Sequence, residues 1–190
     1  MPSDRWHVDL PFRGSRTYVH STSICNHLRE RFGPVARLEL VMREWMDGRV
    51  LFAPIDGMTG AKATLRLDFA DGTSKRFGLT DDKAHPVTTR EPFDEDGLVA
   101  GAPLEDRVIT VAANLAGTFF DRLISANKAL INRSLDPGVR LIASKIVIER
   151  FPLDDQAFRL RLDSHLGTRI FRSSVLLGGD KIGEVVFYGQ

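Results

Sequence analysis

Between residues 35 and 79 the apolar positions fall on every second residue. Leu38, Leu40 and Met42 alternate with Arg37, Glu39 and Arg43, and Ala63, Leu65, Leu67 and Phe69 alternate with Thr64, Arg66 and Asp68. A period of two sends successive side chains to opposite faces, so these segments are expected as strands with one face buried. Asp47-Gly48 is a strong two-residue hairpin signal, which makes Arg49 to Ala53 the return strand; Asp71-Gly72 turns the chain again into Lys75 to Leu79. Ahead of these, His7 to Pro11 reads as a short strand stopped by its proline. Between them Ile24, Leu28 and Phe32 recur at a spacing of four behind His20-Ser21-Thr22-Ser23. This predicts a helix whose free N–H groups one of the three hydroxyls can cap, and which Gly33-Pro34 ends.

The same order returns in the second half. Arg107 to Ala112 reads as a strand, and Asn114 is positioned to cap a helix from Leu115 that carries Phe119, Phe120, Leu123, Ile124, Leu130 and Ile131 up to Asp136-Pro137-Gly138. A helix apolar over most of its circumference is expected to be buried over most of it. Strands follow at 139–149, 157–163, 168–177 and 181–188, with turns at Asp154-Asp155, His165 to Gly167 and Gly178-Gly179-Asp180. A local match supports duplication: Leu65-Arg66-Leu67-Asp68-Phe69-Ala70-Asp71-Gly72-Thr73 and Leu160-Arg161-Leu162-Asp163-Ser164-His165-Leu166-Gly167-Thr168 share six of nine residues at an offset of 95, half of the 190-residue chain. Residues 81–106 contain Pro86, Pro92, Pro103, Gly97, Gly101 and the acidic run Asp94-Glu95-Asp96, and read as an exposed linker. The expected organisation is α+β: a β-α-β-β-β-β repeat at 1–80, the linker at 81–106, and a second repeat at 107–190.

Composition narrows the function. With 26 basic and 25 acidic residues, interspersed, the chain offers no strong basic field, which argues against a dedicated nucleic-acid binder. The single cysteine, Cys25, excludes an internal disulfide and a cysteine zinc cluster and fits a cytoplasmic setting. The start Met1-Pro2-Ser3-Asp4-Arg5-Trp6-His7 has no basic segment followed by an apolar run, so no secretory signal is expected, and no apolar run approaches the roughly 20 residues that span a bilayer. His7, His85 and His165 are scattered without ligand spacing, and no metal or cofactor is expected.

A strand, a long apolar helix and four antiparallel strands, given twice, resemble the hotdog fold in its double arrangement. The resemblance covers nearly the whole chain as an order of elements, without a diagnostic motif. It implies two antiparallel sheets, each wrapped around its helix, and a cleft between the two units that takes the pantetheine arm and acyl chain of a coenzyme A or acyl-carrier-protein thioester. The chemistry it implies is dehydration or hydration of 3-hydroxyacyl thioesters, or thioester hydrolysis, with a homodimer admitted as an assembly. Dehydratases of the fold use a histidine from one unit and an acid from the other unit's helix, roles that fall here on His20 and Asp121, with Glu30 as a weaker acid.

His20 also draws attention without the resemblance. It precedes a helix N-terminus, where free N–H groups can polarise a carbonyl and the helix dipole disfavours a protonated imidazole. The plainer reading makes His20 a flanking residue and Asp121 a solvent-facing charge suited to a helix start. Arg13, Arg16 and Tyr18 could grip a phosphate or carboxylate, or form a solvated strand face; Ser21 and Asn114, at the two helix starts, complete the expected substrate-binding set. Cys25, beside His20 and His27, is either a thiol nucleophile or a small buried residue. Two other functions stay open: a non-catalytic module that binds an acyl group or carrier protein, and a small-molecule lyase or ligand-sensing α+β domain. In the last, the second helix would lie on an open sheet with Asn127 and Lys128 in an exposed polar stripe.

Overall fold

The computed structural model describes residues 4–190; Met1, Pro2 and Ser3, the first residues of the segment expected to carry no secretory signal, lie outside it. The described residues form two compact units that divide between Phe93 and Asp94. The first contains β1 (Trp6–Val8), β2 (Phe12–Arg13), α1 (Ser21–Phe32), β3 (Arg37–Met42), β4 (Gly48–Pro54), β5 (Ala63–Asp68), β6 (Ser74–Pro86) and β7 (Arg90–Glu91). The second contains β8 (Leu104–Glu105), β9 (Val108–Val111), α2 (Phe119–Leu135), β10 (Leu141–Ile148), β11 (Phe158–Leu166), β12 (Ile170–Leu177) and β13 (Asp180–Gly189). The expected order, a strand, a helix and four longer strands, is present in both.

In the first unit the sheet runs β1-β4-β6-β5-β3, every pair antiparallel. Its inward set is the alternating one read from the sequence: Leu38, Leu40, Ala63, Leu65, Leu67, Phe77 and Leu79 are buried. Helix α1 joins it through an aromatic cluster in which Trp6 stacks on Phe52 at 4.6 Å and meets Phe32 and Phe77 edge-on at 5.8 and 5.1 Å. Arg31 lies over the Trp6 ring at 4.1 Å, so the outer side of the indole is covered by a cation.

The Asp47-Gly48 hairpin is not formed. β3 and β4 do not pair, because β5 and β6 stand between them. Three strand spacings are about 14 Å, beyond a two-residue turn but within the roughly 17 Å that residues 43–47 can span. That crossing is fastened at the strand ends it passes: Arg43 and Glu44 N–H donate to the Lys62 carbonyl at 2.8 and 3.1 Å, and Asp47 N–H donates to Asp81 Oδ2 at 3.0 Å. Lys62 Nζ and Asp81 Oδ1 form an ion pair at 2.6 Å, and although burial alone would raise the Asp81 pKa, the lysine and the backbone N–H hold it at about 2. Gly48 is needed for close approach rather than for a turn, since a Cβ there would meet the Asp82 carbonyl.

In the second unit the order is β10-β13-β12-β11-β9-β8. Counted along the chain, the long strands of the two units therefore differ in arrangement. In the first, the final strand β6 lies between β4 and β5; in the second, the final strand β13 lies between β12 and β10. The cause is the connection after the third strand. β11 turns directly into β12 through Gly167, whose φ of +54° suits glycine. Residues 55–62 instead cross β6 where Gly78 leaves room, a Cβ at Gly78 lying 3.3 Å from Met58 Cβ and 3.2 Å from Ala61 Cβ.

The nine-residue match thus falls on strands in different sheet positions, β5 beside β3 and β11 beside β9. What it repeats is a surface clasp. Arg66 Nε donates to Asp68 Oδ1 at 2.8 Å while Ser74 donates to the same oxygen; Arg161 Nε donates to Asp163 Oδ1 at 2.7 Å while Ser174 donates to Oδ2.

Helix α2 begins at Phe119 rather than Leu115 and is capped by Thr118, with Asn114 in an exposed turn ahead of it. Residues 119–127 are all buried, as are Leu130 and Ile131, so the helix is enclosed as its composition predicted. The stretch expected as an exposed linker is exposed at most positions, with its part from Asp94 on packing in places against α2. β6 runs through Pro86, Val99 and Ala102 are buried, Glu95 pairs with Lys128 at 2.6 Å, and Arg133 donates to the Ala102 carbonyl at 2.8 Å.

Candidate functional site

In the first unit, local geometry gathers three of the predicted residues. The short parallel pair β2–β7 sets Phe12 and Arg13 beside Arg90 and Glu91. Gly14 then turns the chain with φ +57°, and a Cβ there would come within 3.1 Å of the Phe93 carbonyl. Arg90 secures the turn by donating to the carbonyls of Gly14 and Arg16, the latter at 2.8 Å. Phe93 thereby becomes the floor of a basic cluster: the Arg13 guanidinium lies 4.0 Å from its ring centroid, Arg16 at 5.7 Å, and the His20 imidazole at 5.8 Å. Guanidinium groups over an aromatic face are held by the ring quadrupole while keeping in-plane N–H donors for another acceptor.

His20 is 5% exposed and occupies the N-cap of α1 with extended backbone (φ −79°, ψ 143°), but its side chain makes no cap. None of the three hydroxyls holds the N-cap position, because the helix starts at Ser21 itself. Thr22 serves the site instead. Its buried Oγ1 accepts from Arg13 Nη1 at 2.8 Å and lies 2.7 Å from His20 Nδ1. The contact between Nδ1 and the hydroxyl orients the ring. Ser21 is buried beside it, and Tyr18 packs on Trp45 with ring centroids 3.9 Å apart. The sequence reading missed Thr22 and Phe93. The first was read as a cap, and the second sits in a stretch whose composition reads only as connection.

Asp121, in the second unit, is 4% exposed and completes a capping box: Thr118 Oγ1 accepts from Asp121 N–H at 3.2 Å, and Asp121 Oδ2 accepts from Thr118 N–H at 3.1 Å. This accounts for an acid at that position by helix chemistry alone. Asp154 adds to the same helix start by accepting from Phe119 N–H at 2.7 Å. Asn127 is buried and Lys128 is paired with Glu95, so the expected exposed polar stripe on α2 is absent. Cys25 is fully buried on α1. Among the described residues no cluster of His, Cys, Asp or Glu could hold a metal ion, and no helix is long and apolar enough to cross a membrane.

His27, next on α1, has a different environment. Trp6 Nε1–H donates to its Nε2 at 3.1 Å, so that nitrogen carries the lone pair. Burial, reinforced by Arg31, depresses its pKa below the ordinary 6.5. An imidazole that resists protonation only when folded stabilises the fold above pH 6.5, and this contribution is lost as pH falls through that value. Denaturant unfolding at pH 8 and pH 5.5 should therefore show a stability loss on acidification that His27→Phe reduces; equal losses in both proteins would rule the linkage out.

No protein-family model matches the chain, and no curated protein matches it. Solved structures do. A protein assigned as a thioesterase II from Thermobifida fusca YX aligns over 100% of this chain and 94% of its own, with 10% identity and a TM-score of 0.53. A 12:0-ACP thioesterase from Umbellularia californica aligns over 98% and 96%, with 11% identity and a TM-score of 0.47. A conserved protein of unknown function with a hot dog fold from Alicyclobacillus acidocaldarius aligns over 100% and 94%, with 10% identity and a TM-score of 0.47. At such identities the likeness is one of fold.

Proposed function

With the chain a hotdog-fold protein of the α+β class, we propose that it acts on acyl thioesters of coenzyme A or an acyl carrier protein, by hydrolysis or by dehydration of a 3-hydroxyacyl chain. The observation that carries this reading is the buried His20, held at the N-terminus of α1 by Thr22 and Arg13. In this mechanism the imidazole of His20 takes a proton, from the water that attacks the thioester carbonyl in hydrolysis or from the carbon beside that carbonyl in dehydration, and returns it to the leaving group, the thiolate as the C–S bond breaks or the 3-hydroxyl, which departs as water, while N–H groups of the first turn of α1 receive the carbonyl oxygen. Arg13 and Arg16 offer guanidinium donors to a phosphate of the carrier arm. The likeness to the protein assigned as a thioesterase II supports the thioester class and leaves both chemistries in play.

Asp121 was expected to share the catalysis. Because its Oδ2 serves the helix cap, the proton transfer is assigned to His20, and Asp121 is given the role of fixing the start of α2. That engagement also favours the alternative, a module that binds an acyl group or its carrier without consuming it. A lone buried cysteine fits a cytoplasmic setting.

The test is direct. The purified protein is offered acyl-CoA and 3-hydroxyacyl-CoA of graded chain length, and free thiol and enoyl product are measured. Catalytic release of either supports the proposal. A rise in melting temperature without product would establish the binding module instead, and no effect of any thioester would sink both.

A further inference from the structure

Arg13 and Arg16 are the two ends of one tight turn in the first unit. Arg16 N–H donates to the Arg13 carbonyl at 3.2 Å, and Gly14, with its positive φ, donates its own N–H to the Glu91 carbonyl at 2.9 Å. A turn braced in this way presents its side chains in a fixed arrangement, so little freedom is lost when a ligand arrives. Both arginines and the Phe93 ring are half-buried and reach solvent, whereas His20 and Thr22 are buried. The cluster is also tied to the reacting group. Arg13 Nη1 donates to Thr22 Oγ1 at 2.8 Å, and that oxygen lies 2.7 Å from His20 Nδ1, so the guanidinium stands two hydrogen bonds from the imidazole. The first phosphate of a carrier arm lies far from its thioester, beyond the two amide units of pantetheine. While His20 works on the thioester, the anion within reach of Arg13 is one carried by the acyl group, and the phosphate of an extended arm is left to Arg16.

We propose that Arg13 is a specificity residue that receives a carboxylate at the far end of a short acyl group, so that the ligand is the thioester of a dicarboxylic acid. The proposal rests on the acyl-thioester reading above. A guanidinium and a carboxylate match as planar, bidentate partners, and a guanidinium lying over an aromatic face keeps in-plane N–H groups for such a partner. The acyl group is short because only two hydrogen bonds separate Arg13 from the imidazole. The pairing also serves the chemistry. A guanidinium this close opposes a second positive charge on the imidazole, and a carboxylate seated on Arg13 offsets it while the imidazole holds its proton. A plain alkyl end would displace water from the guanidinium and return no hydrogen bond.

The probes are acyl pantetheines in which nitrogen replaces the thioester sulfur, so that they are not hydrolysed. They carry propanoyl, butanoyl or pentanoyl groups, or the malonyl, succinyl or glutaryl groups of equal length, each with and without the phosphate of the arm. Binding to the native protein and to Arg13→Gln is measured by calorimetry, together with the melting temperature of each protein. At least one dicarboxylic probe without phosphate is expected to bind the native protein about tenfold more tightly than its monocarboxylic counterpart, a preference that Arg13→Gln removes. Should Arg13→Gln fail to melt cooperatively, Arg13→Lys takes its place; it keeps the charge but not the fork, and should weaken the preference. If the phosphate raises affinity and the acyl carboxylate does not, Arg13 belongs to the carrier arm, and the proposal falls while the thioester reading stands. A carboxylate preference that persists undiminished in a folded Arg13 variant would also overturn it. Failure of every probe to bind the native protein would overturn the proposal and the thioester reading together.

Discussion

Replacing His20 with alanine is expected to lower thioester turnover by about 10²- to 10⁴-fold, the range over which a positioned acid–base group contributes. The same change should leave the fold in place. His20 is the N-cap residue of α1, yet its side chain makes no cap, so truncation removes no helix-end hydrogen bond. Thr22 keeps its bond from Arg13 at 2.8 Å, while the contact between His20 Nδ1 and the hydroxyl, worth about 1 kcal/mol, and the packing of the ring on Phe93 are lost. His20→Gln retains polar atoms and much of the volume but cannot exchange a proton near neutral pH, and it should be as inactive as the alanine variant. Steady-state turnover and thermal melting on the same samples decide the matter. Activity within threefold of the native protein in either variant would remove His20 from the mechanism, and a collapsed melting transition would give it a structural role.

The largest effect on stability is expected at Arg122, the largest fully buried side chain in the protein, at 0% exposure. Nη1 donates to the carbonyls of Ala112 and Ala113 at 3.0 and 3.2 Å, Nη2 donates to the carbonyl of Asp154, and the guanidinium stands 5.8 Å from the Phe158 ring centroid. One side chain therefore ties the exit of β9 and the crossing between β10 and β11 to the first turns of α2. Burial pushes its pKa below the ordinary arginine value, while Asp154 and Asp155 pull the other way. Arg122→Ala would leave a cavity and remove the donor from three backbone carbonyls, a loss of about 3 kcal/mol by denaturant unfolding. Arg122→Met fills much of the space and removes the desolvated charge, so its smaller loss isolates the carbonyls. A methionine variant more stable than the native protein would mean that burying the guanidinium costs more than its hydrogen bonds return.

The sequence made the elements legible because their signals are local. Period-two runs gave β3 and β5, the spacing of Ile24, Leu28 and Phe32 gave α1, and the dense apolar helix was correctly expected to be enclosed. Local signals also misled where a tertiary constraint prevailed. Asp47-Gly48 has the chemistry of a hairpin turn, yet two intervening strands carry it across the end of the sheet, where Lys62 and Asp81 hold it. Asn114 has the chemistry of a cap, yet Thr118 caps α2 because Asp121 returns the second bond of the box and the asparagine cannot. At the candidate site His20, Arg13 and Arg16 were legible as residue types. Their union was not, since it depends on Phe93, some seventy residues away, and on Thr22 turning its hydroxyl from the helix end to the histidine.

From its sequence alone the chain is committed to strand, helix and strand segments given twice, because alternation and helical spacing are written into neighbouring side chains. Which strand lies beside which, and which polar side chains end up enclosed with or without partners, only the tertiary structure decided. Those outcomes depend on where a connection can cross a sheet, as at Gly78, and on contacts between residues far apart in the chain, neither of which leaves a periodic mark in the sequence.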